Sequence, residues 1–239
     1  MDIDYIFDHL YIEGKRPREN SNEQAEIFFL KCTDYKYAGL IGFGQDGIIV
    51  KLQHRETGVF YAGKFFTVND YEHIVKITSA IETSQINEFY LLPYEIINFP
   101  TNLQDAHLAN GILPVHIFGV TVGKYLTRRN FFLLYGGFFV LPLMDGDMDD
   151  SLLLNRLKSN GAFLEWAREA QHMALKHRFY HGDLGLSNIL YKRDHDTVIY
   201  KITDFTHSRF IDLTDIDGVD LIKKEWEKIL GSSVKIMNE

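Results

Sequence analysis

His181-Gly182-Asp183-Leu184-Gly185-Leu186-Ser187-Asn188-Ile189-Leu190 and, a short way downstream, Ile202-Thr203-Asp204-Phe205-Thr206 carry the most chemistry per residue of the 239 in this chain. The glycines predict a loop over 181–188, followed by two short strands, 189–191 and 198–202. An Asp and an Asn in one loop, with a second Asp after the next hairpin, supply three oxygen side chains. Mg²⁺ and a phosphoryl acceptor demand donors of that kind. Upstream, Phe163, Trp166, Ala167, Ala170 and Ala174 recur at helical spacing and predict a helix over 162–175, after a shorter one over 151–157. Downstream, Leu221, Ile222, Trp226, Ile229 and Leu230 repeat that spacing.

The half before this loop has a different texture. Runs at 37–41, 47–52 and 59–66 are short, β-rich and separated by glycine-containing or charged turns, which predicts three antiparallel strands. Apolar positions from Tyr71 to Leu92 fall three or four apart and predict one helix over 69–92, ended by Pro93. Strand-like runs at 112–122 and 131–143 complete a five-stranded sheet before the acidic turn 145–150. The fold class expected is α+β, a β-rich lobe with one helix followed by a mainly helical lobe. The boundaries are 1–37 for an N-terminal extension, 38–144 for the first lobe and 145–239 for the second.

Gly42, Gly44 and Gly47, with Ile49 closing the segment, join the first two strands, and glycines so spaced let backbone amides approach a phosphate chain. The same pattern also serves a plain hairpin. Lys64 stands within the apolar run 59–66, where it either snorkels to water as an edge-strand lysine or meets an anion.

A hydrophobic fraction of 46% supports one substantial core or two lobes, and a net charge of -8 argues against a nucleic-acid binder. One cysteine, Cys32, forms no intramolecular disulfide, and the acidic N-terminus lacks the basic start of a secretory signal. A cytoplasmic location is expected, with the nucleus as the alternative. The apolar stretch 131–144 is shorter than the roughly 20 residues of a membrane-spanning helix, so no membrane association is expected.

Over residues 38–222 the chain resembles the protein-kinase superfamily. The resemblance implies that Gly42, Gly44 and Gly47 form the glycine-rich loop and that Lys64 anchors the phosphates of ATP. It implies that Asp183 is the catalytic aspartate, and that Asn188 and Asp204 hold Mg²⁺ or Mn²⁺. The segment 138–144 is similar to the strand and hinge that hold adenine, with Leu141 as gatekeeper, the Pro142 carbonyl and the Met144 amide facing the base. Glu88, or alternatively Glu82, is the implied helix partner of Lys64. The activity implied is that of a Ser/Thr protein kinase acting on a protein substrate. A small-molecule kinase and a nucleotide-binding pseudokinase are the alternatives.

The departures are informative. Gly182 stands where typical members have Arg, Gly185 where they have Lys, and Thr206 where they have Gly. The first removes the receptor for a phosphorylated activation segment, so that form of switching is expected to be absent. His-Gly-Asp-Leu and the short segment after Asp204 are similar to the KEOPS-complex kinase. Asp-Phe-Thr-x-Ser-Arg is similar to haspin, and His-Gly-Asp also occurs in aminoglycoside phosphotransferases. Asp217-Gly-Val-Asp220 resembles the start of a long helix whose aspartate holds the catalytic loop, which implies that role for Asp220. The second lobe reads as shortened. Trp166, Ala170, Met173, Leu221, Ile222, Trp226, Ile229 and Leu230 would then stay partly uncovered. A second copy or a partner protein is expected there, unless the segment before Tyr37 folds back over them.

Overall fold

A computed structural model of the chain describes residues 34–44, 47–98, 135–149 and 161–237. The expected strand 112–122, the helix 151–157 and most of the N-terminal extension lie outside the described residues. The chain is α+β and divides into two compact units. One takes the described residues up to Glu72 and those from Pro93 to Leu143; the other takes His73–Leu92 and those from Met144 onward.

The first unit is a five-stranded antiparallel sheet of β1 (Tyr35–Gly44), β2 (Gly47–His54), β3 (Phe60–Thr67), β4 (Glu95–Asn98) and β5 (Tyr135–Pro142), in the order β1-β2-β3-β5-β4. β3 lies at the centre, and Val50, Leu52, Phe65, Phe138 and Val140 are fully or almost fully buried. Phe65 stacks on Phe138 at 4.8 Å, and Phe66 meets Phe139 edge-on at 5.0 Å, the aromatic cross-strand pairing that stabilises sheets. A Cβ at Gly63 would lie 2.7 Å from Leu52 Cδ1 and 3.1 Å from Val50 Cγ2, so a side chain there would force these two buried residues to shift.

Helix α1 (Val68–Glu82) follows β3. The sequence predicted that it would run to Leu92; it stops ten residues sooner. Thr83 Oγ1 donates to the carbonyls of Ser79 and Ala80, Ser84 Oγ to that of Ile81, and Asn87 Nδ2 to that of Glu82. These short polar side chains satisfy carbonyls that a continuing helix would have used. The apolar period persists because Ile86 and Phe89 still enter the core, but from a separate 3₁₀ turn, Asn87–Phe89. Pro93 therefore ends no helix, and the strand after it is Glu95–Asn98.

The second unit contains β6 (Gly146–Asp147), α2 (Ala162–Lys176), β7 (Phe179–Tyr180), β8 (Ile189–Asp194), β9 (Thr197–Ile202), β10 (Arg209–Phe210) and α3 (Ile216–Met237). Its sheets are small, β6-β8-β9 and β10-β7. The core joins Ile81, Ile86 and Phe89 to Ala167, Ala170, Ile202, Ile222 and Trp226. The small alanines of α2 let α3 come close, and Trp226 is only 1% exposed. This corrects the expected uncovered face at four of its eight positions: Ala170, Ile222, Trp226 and Ile229 are buried within the chain, while Trp166, Met173 and Leu230 are only partly buried against its core and Leu221 is exposed. Trp226 is thus no surface probe for a partner. Among the described residues no helix is long and apolar enough to cross a membrane.

Candidate functional site

The sheet and the loop cluster each assemble part of the predicted site. In the sheet, the antiparallel register pairs Gly42 with Ile49, Ile49 with Lys64 and Lys64 with Phe139. Directly paired residues share a face, so Ile49, Lys64 and Phe139 stand in one transverse row. Lys64 is 5% exposed, with Nζ 5.0 Å from the centre of the Phe66 ring. Burial on the central strand removes the edge-strand alternative. β1 extends through Gly42 to Gly44, so these glycines are strand residues rather than a loop, and a Cβ at Gly42 would meet nothing within 4 Å. Leu141 pairs with Ala62 on the Lys64 face, Pro142 pairs with Tyr61 as the last residue of β5, and Met144 follows beyond the strand.

In the second unit the hairpin β8–β9 does the positioning. Ile189 pairs with Ile202, and the Thr203 N–H donates to the Asn188 carbonyl at 2.9 Å, so Asn188 and Asp204 emerge at the same end. Asn188 Nδ2 donates to the Asp183 carbonyl at 2.8 Å and to its Oδ2 at 3.3 Å. That commits the amide nitrogen to Asp183 and leaves Oδ1 as the acceptor atom of Asn188. Asp204 adopts φ +70° and accepts a 2.8 Å bond from Thr206 Oγ1. Asp, with Asn, is among the side chains that enter this left-handed region at least cost.

The loop beneath Asp183 is held from three directions. His181, 1% exposed, bonds through Nε2 to the Thr203 carbonyl at 2.9 Å, and its Nδ1 accepts the Asp183 N–H at 3.3 Å, which fixes the neutral Nε2–H tautomer. Ser208 Oγ donates to the His181 carbonyl at 2.9 Å. The consecutive N–H groups of His181 and Gly182 donate to the two carboxylate oxygens of Glu225, at 3.0 and 3.1 Å.

Glu225 therefore holds the loop in place of Asp220, which is exposed and pairs with Lys223 at 3.1 Å. The sequence carried a sign of this: Glu225 interrupts the apolar stripe Ile222, Trp226, Ile229 of α3 with a carboxylate that is 6% exposed, and such a group must find donors. Burial pushes its carboxyl up from the ordinary value, against the pull of the two N–H donors and of Lys228. A carboxyl raised by folding adds stability that is fully present below its unfolded pKa and lost as pH rises through the folded one. We expect Glu225→Ala, which orphans both donors, to cost about 2–4 kcal/mol. The advantage of wild type over Glu225→Gln should shrink as pH rises through and above the ordinary carboxylate range. Thermal melts across that range check both; a widening gap would contradict the assignment.

Glu88 lies on the 3₁₀ turn, exposed, and its carbonyl accepts from Lys201 Nζ. Glu82 is the last residue of α1, also exposed. Glu88 thus lies outside the long helix that the sequence predicted around it, and Glu82 stands at the end of α1. Among the described residues no group of three or more His, Cys, Asp or Glu forms a cage for a metal. Mg²⁺ needs no such cage, since it retains waters and takes one or two carboxylates besides substrate phosphates. An Asp204 carboxylate with the Asn188 amide oxygen fits that requirement. Compared with known protein families and with curated proteins, the chain matches none.

Proposed function

We propose that the chain is an ATP-dependent phosphotransferase with a protein-kinase-like fold, transferring the γ-phosphoryl group of ATP to a Ser or Thr hydroxyl of a protein substrate. The observation that carries this reading is the local frame of Asp183, Asn188 and Asp204. One side-chain amide locks the first carboxylate, and one backbone bond draws the second to the same end of a hairpin. A loop braced by Glu225, Ser208 and the His181 ring holds that frame still, the preorganisation that transfer chemistry requires.

In this reading Asp183 orients the acceptor hydroxyl and takes its proton as that oxygen bonds to the γ-phosphorus and the bond to the ADP oxygen breaks. Lys64 and the backbone of Gly42, Gly44 and Gly47 bind the phosphates, Ile49 and Leu141 flank the base, and the Pro142 carbonyl and Met144 N–H meet its edge. Asn188 Oδ1 and Asp204 would hold Mg²⁺ or Mn²⁺, which when bound neutralises charge on the phosphates. Gly185 leaves one cation fewer beside the transferred group than typical kinases have, which bears on rate more than on binding.

Incubation with radiolabelled ATP, Mg²⁺ or Mn²⁺ and generic protein substrates tests the reading. Label on protein supports it. Nucleotide binding without turnover would make the chain a binding regulator, label confined to small acceptors would make it a small-molecule kinase, and no binding would end the proposal.

A further inference from the structure

Thr206 stands where flexibility would be expected of a residue beside a cation-binding carboxylate, yet its surroundings hold it in place. It lies within a turn closed by Ser208 N–H to the Phe205 carbonyl at 3.0 Å. Both ends of that turn are anchored. Phe205 is buried, its ring 5.7 Å from Tyr90 and 6.2 Å from His181. Ser208 is buried too, its hydroxyl on the His181 carbonyl and its own carbonyl 3.0 Å from His73 Nε2. From this platform Thr206 Oγ1 reaches Asp204 Oδ1 at 2.8 Å.

A carboxylate with one oxygen bonded to a fixed hydroxyl no longer rotates freely about its terminal bond. It meets a cation in one orientation, and donation to Oδ1 weakens that oxygen as a second ligand. Symmetric bidentate coordination, which Ca²⁺ accepts readily, is thereby disfavoured against single-oxygen coordination of the kind octahedral Mg²⁺ takes. We infer that Thr206 is a positioning residue that aims the Asp204 carboxylate and tunes the site toward Mg²⁺ over Ca²⁺. The inference rests on the proposed nucleotide site and adds to it the control of cation choice.

The test is nucleotide binding rather than turnover, measured by calorimetry and thermal shift with ATP plus Mg²⁺ or Ca²⁺. Thr206→Val removes the hydroxyl at nearly constant shape, and Thr206→Ser keeps it without the methyl. Partners of metal ligands typically govern affinity by about 10–100-fold. The expected result is a loss of about tenfold in Mg²⁺-dependent binding for Thr206→Val, a smaller loss with Ca²⁺, and near wild-type behaviour for Thr206→Ser. Equal Mg²⁺ affinity in Val and wild type overturns the inference, as does an equal loss in Val and Ser or an unchanged Mg²⁺ to Ca²⁺ ratio. Should Val melt far below wild type, the Ser variant and Thr206→Ala decide by the same ratio. A wild type that binds no nucleotide with either cation instead brings down the underlying site, and this inference with it.

Discussion

Lys64→Met and Asp204→Asn are each expected to lower phosphoryl transfer by about 10³-fold or more while leaving the protein folded. Under the proposed function both side chains act on charge that concentrates at the phosphates, so their effects should exceed those of any residue acting through packing. Methionine suits position 64 because Lys64 is nearly buried on the central strand, with Nζ 5.0 Å from the Phe66 ring and Ile49 and Phe139 paired beside it. Its length is kept and only the ammonium is lost. Asparagine suits position 204 for a backbone reason. At φ +70° alanine would be strained, whereas Asn tolerates the left-handed region and still offers Oδ1 to Thr206. Phosphate incorporation and thermal melting should be measured on the same preparations. Full transfer by either variant would remove that residue from the site, and a collapsed melt would show that its role is structural.

The residues that sequence patterns locate well are those whose signal is local. Alternation and turn chemistry place β1, β2, β3 and β5, and helical spacing places α2, each to within a few residues, while for α3 the spacing of Leu221 to Leu230 marks only the middle of the helix Ile216–Met237. The hairpin β8–β9 follows from its two short runs, although the first strand continues to Asp194 and the chain turns at His195-Asp196, where His195 takes φ +52°. The end of α1 was not legible from periodicity, because Ile86 and Phe89 continue the apolar rhythm while Thr83, Ser84 and Asn87 cap the helix through side-chain bonds. The strand Glu95–Asn98 escapes because four residues give too little alternation to register.

The site divides in the same way. Asp183, Asn188 and Asp204 are legible because one loop and one hairpin bring them together. Glu225 acts on His181 from 44 residues away, a relation set by how α3 lies against the loop. Asp220 fitted the resemblance but points to Lys223. The more telling mark was a carboxylate placed on an apolar stripe.

Gly182→Ala should be the most damaging single-methyl change in the loop. Gly182 has φ +86°, and a Cβ there would lie 2.4 Å from the His207 carbonyl oxygen and 2.9 Å from His207 Cβ. The carbonyl is backbone, and the segment that carries it cannot easily retreat. Ser208 is tied to His181, the Ile211 N–H donates to the Arg178 carbonyl at 2.8 Å, and Arg209 and Phe210 pair with Tyr180 and Phe179. Strain and overlap together should cost about 2–4 kcal/mol, or on the order of 5–10 °C in melting temperature for a chain of this size. Transfer should fall further still, since the loop that shifts is the one carrying Asp183. Gly185→Ala is the matched control. Gly185 has φ −138°, a conformation open to any residue, and its Cβ would come no nearer than 3.6 Å to Ser187 Oγ. There the methyl should be neutral or stabilising by up to about 1 kcal/mol, through loss of freedom in the unfolded chain. Equal melting of the two variants would mean that the 206–210 segment does not lie against the loop as described. The same contact leaves no room for any side chain at 182, because the space it would need is already filled by the backbone of His207 in the chain that follows Asp204.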